Sequence, residues 1–237
     1  MSGRILTVIP AYNEEQTIAS VLIGLRHAAP ECDRIVVNDG SRDGTAQVVA
    51  QLGEAQIRLP CNLGYGHALQ TGMRYALERG YDLVVSFDAD QQHVPQDVRR
   101  VVAALDATGA DLVIGSRYCE DHSYSQSLSR KLGQLIFSQL SQMLLGQRVY
   151  DTTSGFKAMR AAVCAALISG TFMDFHTEAL VRLRLLGFRI VEHPISIEER
   201  RFGTSMHSAA SILHYPLKTL LLTVVALVDG YLARRAQ

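Results

Sequence analysis

LVVSFDADQQH, at residues 83–93, joins a short apolar run to a polar turn that carries two carboxylates. The run Leu83–Phe87 is mostly apolar and rich in valine, which is typical of a buried strand. Asp88 and Asp90 follow it at once, so they stand where that strand ends. The stretch therefore predicts an inner strand whose carboxyl end carries polar chemistry.

Four more short runs rich in β-branched residues lie on either side of this one. They are Ile5–Ile9, Arg34–Asn38, Gln56–Leu59 and Asp111–Gly115, and segments with helical spacing of apolar residues separate them. The alternation predicts an α/β fold, with a mostly parallel sheet and helices on both faces. Asn13 with Gln16 three residues later predicts a capping box at the start of the first helix.

In a sheet of this kind, ligands bind beyond the carboxyl ends of the strands. The loops that matter are then 10–15, 39–44, 60–66 and 88–94. Two other nucleotide-binding motifs are excluded, because Leu69 stands where a dinucleotide fingerprint needs glycine and the chain has no Gly-Lys pair for a Walker A loop. A pyrophosphate would therefore be neutralised by a metal ion and basic side chains.

The carboxylates in these loops can be interpreted either as groups that bind a metal ion or a nucleoside, or as ordinary turn residues. Asp88 and Asp90 can share a hard divalent cation once the chain turns, or they are two solvated turn residues. An EF-hand is excluded, because Gln92 and His93 occupy positions where that loop needs a ligand and a glycine. Asp39 is placed to accept a hydrogen bond from a nucleobase or ribose, although a turn also explains its neighbours.

Composition narrows the class of protein. Lys and Arg number 23 and Asp and Glu number 23, so the net charge of 0 gives no case for nucleic acid as a partner. Charged residues make up 19%, below the usual quarter, which favours a face turned to a membrane or a partner. The four cysteines are far apart, as in a reduced cytosolic protein. Ile5–Ile9 is too short for a signal-peptide core, so we expect a cytoplasmic location.

Two segments are candidates for that face. Leu128–Leu144 is amphipathic, and the apolar tail contains the unbroken run Thr219–Val228. A run of that length falls well short of the roughly 20 residues of a spanning helix, so each segment is either core or an interfacial helix at a membrane or partner surface. We expect one domain over residues 1–207 and an amphipathic helical extension over 208–237.

Six motifs stand in order along the chain. They are VIPAYNEE (8–15), VNDGS (37–41), NLG (62–64), the Asp-Ala-Asp turn, GSRY (115–118) and DTTSGFK (151–157). Together they resemble the family 2 glycosyltransferases, and most closely the dolichol-phosphate mannosyltransferase-like, or polyprenyl-phosphate glycosyltransferase, group. The resemblance implies a GT-A fold and inverting transfer of a sugar from a nucleotide sugar to a polyprenyl phosphate. It also implies a peripheral protein on the inner face of the membrane. A small integral membrane protein is a candidate partner.

The resemblance also implies roles for individual residues. Pro10, Tyr12, Glu14 and Asp39 would hold the nucleoside, and Asp88, Asp90 and Gln92 would bind Mg²⁺ or Mn²⁺ on the diphosphate. Arg117, Arg130, Lys157, Arg200 and Ser205 would contact donor or acceptor phosphate. Met206 departs from the family, where many relatives have lysine. We expect Arg117, which follows a strand into the site, to matter far more than Arg42 in its exposed turn.

Three functions remain open, and the first is transfer of a sugar to a polyprenyl phosphate. The second is transfer to a hydroxyl group. A lipid phosphate is already an anionic nucleophile, whereas a glycan or small-molecule hydroxyl acceptor needs a general base. Glu178 is the candidate base, or it pairs with Arg182 four residues on. The third alternative is a noncatalytic nucleotide-sugar-binding subunit of a membrane complex.

Overall fold

The computed structural model describes residues 3–119, 142, 149–170, 175–198 and 225. In these ranges the strands are β1 (Ile5–Ala11), β2 (Asp33–Asn38), β3 (Gln56–Arg58), β4 (Leu83–Ser86), β5 (Leu112–Ser116), β6 (Lys157–Arg160) and β7 (Ile190–Pro194). The helices are α1 (Ile18–Ala28), α2 (Thr45–Gln51), α3 (Tyr65–Glu78), α4 (Asp97–Thr108), α5 (Ala161–Ile168) and α6 (Thr177–Leu185). All five predicted strands and the predicted α/β alternation are confirmed.

The strands form one mixed sheet in the order β3-β2-β1-β4-β6-β5-β7. β1 to β4 run parallel to one another, β6 lies antiparallel between β4 and β5, and β7 runs parallel to β5 at the edge. The sequence did not predict β6, because it has only four residues and begins and ends with a basic side chain.

Alternate residues of the inner strands face opposite sides of the sheet, as strand geometry requires. Leu6 and Val8 of β1 pack on the side covered by α3, α5 and α6. Ile5 and Ile9 pack on the other side, against α1, α2 and α4. Both faces are therefore buried, which explains why β1 and β4 read as nearly continuous apolar runs.

The carboxyl ends of the parallel strands meet at one edge of the sheet. β6 begins at this edge and runs in the opposite direction. Ala11 pairs with Asn38, and the backbone N–H of Asp39 donates to the Ala11 carbonyl at 2.9 Å. Lys157, the first residue of β6, pairs with Ser86 on one side and Ile114 on the other. The antiparallel strand thus brings the segment before Lys157 beside the turn that follows β4.

The predicted capping box at Asn13 is wrong. α1 begins at Ile18, and no side chain caps it. Asn13 instead adopts a left-handed conformation with φ 56°, and its Oδ1 accepts a hydrogen bond from the backbone N–H of Arg42 at 2.9 Å. A side-chain amide that tolerates this conformation is used to join two loops rather than to start a helix.

Several predicted features lie outside the described residues. They are most of Leu128–Leu144, the extension over 208–237 and the boundary at 207. No helix in the part of the chain that the structure describes is both long and apolar enough to cross a membrane.

Candidate active site

Two loops at the carboxyl end of the sheet are tied together by hydrogen bonds from backbone to side chain. The N–H of Asn13 donates to Oγ of Ser41 at 2.9 Å, and the N–H of Glu14 donates to Oγ1 of Thr45 at 2.8 Å. The Glu14 carboxylate accepts from the Thr17 hydroxyl at 2.6 Å. Glu14, a predicted nucleoside contact, therefore has a defined role in holding the loop after β1.

Asp39 lies beneath the neighbouring loop and holds it in place. The residue is 3% exposed, and the two oxygens of its side chain accept the backbone N–H groups of Leu63 and Gly64, each at 2.8 Å. A carboxylate has about four acceptor positions, so two are left for a ligand. Its predicted contact with a nucleoside therefore needs an approach that the loop 62–64 leaves open.

A cavity of about 340 Å³ opens above these loops. This volume suits a nucleoside-sized ligand. The residues around it come from the ends of β1, β2 and β3: Tyr12, Asn38, Gly40, Ser41, Arg42, Arg58, Leu59, Pro60, Cys61 and Asn62.

Of the predicted nucleoside contacts, only Tyr12 lines this cavity, with 39% of the residue exposed. Pro10 is buried within β1. Arg42 is exposed as expected, yet it lines the cavity, so it cannot serve as an uninvolved control for Arg117. Arg58 was missed because a basic residue at the end of a short strand carries no signal of its own.

Asp88 lies in a pocket that it shares with the side chains of His93, Lys157 and Tyr65, and glycine lines one wall. Its own side chain is 28% exposed, and its Oδ2 lies 3.1 Å from Nε2 of His93. A Cβ on Gly155 would lie 2.2 Å from that oxygen, so only glycine permits this close approach. Burial raises the pKa of Asp88, but the hydrogen bond with His93 and the positive charge of Lys157 outweigh burial, and the pKa lies below its ordinary value.

Asp90 and Gln92 complete the turn. Oδ1 of Asp90 accepts the N–H of Gln92 at 3.1 Å, and Gln91 between them adopts a left-handed conformation with φ 64°. The Gln92 carbonyl accepts the N–H of Glu198 at 3.0 Å, which fastens the turn to the segment after β7.

This turn fits a hard divalent ion. Oδ1 of Asp88 is buried and has no hydrogen-bond partner among the described residues, so it retains the lone pairs of a ligand atom. The described residues contain no group of three or more His, Cys, Asp or Glu side chains that could bind a metal. Mg²⁺ sites commonly use one or two carboxylates and take the remaining ligands from substrate phosphates and water. The donor set at Asp88 and Asp90 suits an ion that arrives with a diphosphate.

Lys157 is a buried cation close to this turn. It is 6% exposed, and its Nζ donates to the Ser154 carbonyl. Burial lowers the pKa of Lys157 to about 8, although the charges of Asp151, Asp88 and Glu178 act in the opposite direction. The ammonium group is therefore positive at neutral pH and easily neutralised.

Arg117 is clamped by a partner that sequence reasoning did not assign. Its Nε and Nη2 donate to the two oxygens of Asp151, each at 2.7 Å, and Nη2 also donates to Oγ1 of Thr153 at 3.0 Å. The Asp151 side chain is fully buried, whereas that of Arg117 is 25% exposed. Burial lowers the pKa of Arg117, but Asp151 outweighs it and the pKa is raised. The guanidinium stays charged.

The clamp has a second support from β7. Both oxygens of Glu192 accept backbone N–H groups, from Tyr150 and Asp151, each at 2.8 Å. Burial raises the pKa of Glu192 above its ordinary value, and these hydrogen bonds oppose that shift. Asp151 is the first residue of the DTTSGFK motif, but nothing in the sequence indicated that Glu192 would reach it.

Glu178 lies in the first turn of α6 and is 1% exposed. Its Oε1 accepts the N–H of His176 at 3.1 Å, while Arg182 donates to the Ala166 carbonyl. Its negative charge acts to raise the pKa of Lys157, against the effect of burial. Arg130, Arg200, Ser205 and Met206 lie outside the described residues.

Comparison with known proteins agrees with this geometry. Residues 7–168 match Glycosyl transferase family 2. Polyprenol monophosphomannose synthase of Mycolicibacterium smegmatis is 33% identical over 220 residues, which cover 88% of this chain and 83% of that protein. Undecaprenyl-phosphate mannosyltransferase of Micrococcus luteus is 36% identical over 219 residues, which cover 88% of this chain and 89% of that protein.

A solved structure shares the fold. Glucosyl-3-phosphoglycerate synthase of Mycobacterium tuberculosis, in complex with Mn²⁺, uridine diphosphate and glucosyl-3-phosphoglycerate, superposes with a TM-score of 0.71. It covers 97% of this chain and 80% of its own, at 20% identity, which establishes the GT-A-like fold alone. The family match spans most of the chain and includes both the cavity loops and the Asp88 turn. The protein is therefore a glycosyltransferase and belongs to glycosyl transferase family 2.

Proposed function

We propose that this chain transfers a sugar from a nucleoside diphosphate to the phosphate of a polyprenyl lipid, with inversion and with Mg²⁺ or Mn²⁺. The observation that carries the proposal is the placement of the nucleoside-sized cavity and the Asp88 turn at the ends of adjacent strands. A nucleoside in that cavity directs its diphosphate along the strand ends toward Asp88. The relatives named above support the lipid phosphate as acceptor.

On the donor side, Asp88, Asp90 and Gln92 would hold the divalent ion. When bound, such an ion stabilises the charge that develops on the leaving nucleoside diphosphate, which is Lewis-acid catalysis. The lowered pKa of Asp88 keeps this carboxylate ionised at neutral pH. Gly155 gives the carboxylate its space, so this segment serves the donor site without contributing a side chain.

On the acceptor side, Lys157 and Arg117 supply positive charge. An acceptor phosphate oxygen attacks the anomeric carbon as the bond from that carbon to the diphosphate oxygen breaks, and the nucleoside diphosphate leaves with the electron pair. A single displacement inverts the configuration. Because the phosphate is already anionic, no side chain has to remove a proton. Asp151 holds the Arg117 guanidinium in one orientation, which reduces the cost of ordering it on binding.

A hydroxyl acceptor is the second candidate, and Glu178 is the observation that favours it. This carboxylate is buried, and its negative charge acts on the pKa of Lys157. Burial of this kind suits a general base, which a hydroxyl needs and a phosphate does not. The two candidates differ in one functional group of the acceptor.

A matched pair of acceptors tests the proposal. The enzyme is incubated with a radiolabelled nucleotide sugar, Mn²⁺ and either a polyprenyl phosphate or the polyprenol of the same chain length. We expect a lipid-soluble product from the phosphate alone. Equal labelling of the polyprenol, or faster labelling of a soluble glycan, would favour the hydroxyl candidate.

We also propose that the protein works on the cytoplasmic face of a membrane as a peripheral protein. Support comes from sequence alone: the apolar segments 128–144 and 219–228 are flanked by basic residues, which add roughly 1 kcal/mol each near anionic lipid. Flotation with anionic vesicles should occur and should weaken as salt is raised. Flotation only after co-expression of a small integral membrane protein would assign the lipid contact to that partner.

A further inference from the structure

His93 lies directly behind Asp88, and the proposed reaction gives it no task. Nε2 of His93 lies 3.1 Å from Oδ2 of Asp88, and the residue is 6% exposed. An ionised carboxylate has no proton to give, so the imidazole donates from Nε2. His93 therefore donates a hydrogen bond to one of the two carboxylate oxygens of Asp88.

The imidazole is held by its neighbours on two sides. The ring centroid of Phe87 lies 5.7 Å away at an interplanar angle of 67°, and that of Phe156 lies 5.2 Å away at 49°. The backbone is fixed as well, since His93 forms an antiparallel bridge with Ile197. A donor packed in this way has one position from which to bind Asp88.

The two oxygens of Asp88 are consequently not equivalent. Oδ2 accepts from His93, whereas Oδ1 has no hydrogen-bond partner among the described residues. We propose that His93 is a positioning residue that holds Oδ2, so that Oδ1 of Asp88 is kept in place for the divalent ion. The inference rests on the proposed metal site. It follows a general pattern in which an outer hydrogen bond orients a metal-binding carboxylate.

Two amide variants separate this role from simple packing. In His93→Gln the side-chain nitrogen is as many bonds from Cβ as Nε2 of histidine, so it can reach Asp88. In His93→Asn it is one bond shorter and cannot. Both variants lose the aromatic contacts with Phe87 and Phe156, so their loss of thermal stability should be similar. Only their ability to donate to Asp88 differs.

The readout is binding of Mn²⁺ alone to the full chain, measured from the electron paramagnetic resonance signal of free Mn²⁺. Outer-sphere partners of a metal site are commonly worth about 10- to 100-fold in affinity. We expect His93→Asn to bind Mn²⁺ at least about 10-fold more weakly than the native protein, and His93→Gln to recover most of that loss. Equal affinity of His93→Asn and native protein, or equal weakening in both variants at matched stability, would overturn the inference.

Asp88→Asn distinguishes this inference from the proposed metal site. If Asp88→Asn binds Mn²⁺ as the native protein does, the site at Asp88 is wrong, and the role of His93 is overturned with it. If Asp88→Asn loses binding while His93→Asn keeps it, only the role of His93 is overturned. When His93 acts through Asp88, adding His93→Asn to Asp88→Asn should cause little further loss.

Discussion

Lys157 is buried and the Asp88 side chain is 28% exposed, and at each residue the effect of burial on the pKa competes with the charges around it. For Lys157 burial is the stronger effect and lowers the pKa to about 8. For Asp88 the hydrogen bond and the positive charges are stronger than burial, and the pKa falls. Asp88 therefore stays negatively charged down to a lower pH than usual, whereas Lys157 loses its positive charge at a lower pH than usual. A carboxylate that stays ionised suits the binding of a cation, and a cation that is easily neutralised suits the release of an anion.

The aspartates of the turn should be essential for transfer and dispensable for folding. We expect Asp88→Ala and Asp90→Ala each to lower kcat by about 10²-fold or more, because each removes charge that would hold the ion on the leaving diphosphate. Asp82→Ala is the matched control, since Asp82 is an exposed residue at the opposite end of the same strand. Wild-type turnover of an Asp88→Ala, Asp90→Ala double variant in EDTA would show that the metal assignment is wrong.

Arg117 and Arg99 form ion pairs of the same shape in different surroundings. Arg99 binds both oxygens of Glu31 at 2.7 Å, but its side chain is 53% exposed and that of Glu31 is 40% exposed. Arg117→Ala should cost about 2–4 kcal/mol in the free energy of unfolding because it leaves Asp151 buried without its partner, whereas Arg99→Ala should cost less than about 1 kcal/mol.

Urea unfolding of both variants measures this difference. The double variant Arg117→Ala, Asp151→Asn should be less destabilised than the sum of its two single variants, because the buried charge is removed together with its partner. Equal costs for Arg117→Ala and Arg99→Ala would mean that the Asp151 pair is solvated. Activity should also fall for Arg117→Ala and stay at the native level for Arg99→Ala.

At the scale of the elements, the strands that the sequence predicted best are those buried on both faces. β1 and β4 are nearly continuous apolar runs, so their amino-acid composition alone indicates that they are buried. β6 could not be found in this way, because it is a four-residue strand that depends on pairing with two partners distant in sequence. The same limit applied to the site. Asp88 follows a strand that can be recognised, whereas Glu192 reaches Asp151 only after β7 has joined the sheet.

The loops after β2 and β3 meet around the cavity, and the thiol of Cys61 can be used to detect a ligand bound there. Cys61 is exposed and lines the cavity, while burial raises the pKa of Cys32 to about 11 and that of Cys164 to about 12. Because the thiolate is the reactive form, Cys32 and Cys164 should resist alkylation at pH 8 and Cys61 should react. A nucleoside diphosphate with Mn²⁺ should slow alkylation of Cys61 several-fold.

Mass spectrometry of peptides after a timed pulse of iodoacetamide measures each thiol separately. Cys119 is half-buried and follows Arg117 by two residues, so its rate shows whether protection also extends to the Arg117 side of the site. If the nucleotide leaves the rate at Cys61 unchanged while its binding is demonstrated by another method, the nucleoside lies elsewhere.

For the whole molecule, donor binding should appear as stabilisation against heat. A ligand that binds only the folded state stabilises by about 2.7 kcal/mol at 100 times its Kd, which for a chain of this size raises Tm by about 5–10 °C. A panel of nucleoside diphosphates with Mn²⁺ would identify the base. The increase should require Mn²⁺ and should be lost in Asp88→Asn. An equal increase in Tm from nucleoside monophosphates without metal would show that the cavity binds nucleotides independently of the Asp88 turn.

The insertion of β6 between β4 and β5 has a consequence for synthesis on the ribosome. β5 pairs only with β6 and β7 among the described strands, and both are made after it. Until residues 157–160 leave the exit tunnel, β4 and β5 each have an open edge that can pair with another chain. Sequence-distant strand pairing is also slow to form. The nascent chain thus passes through a period in which β1 to β4 are able to assemble but β5, which precedes Arg117, is not, and this is when chaperones would protect it most.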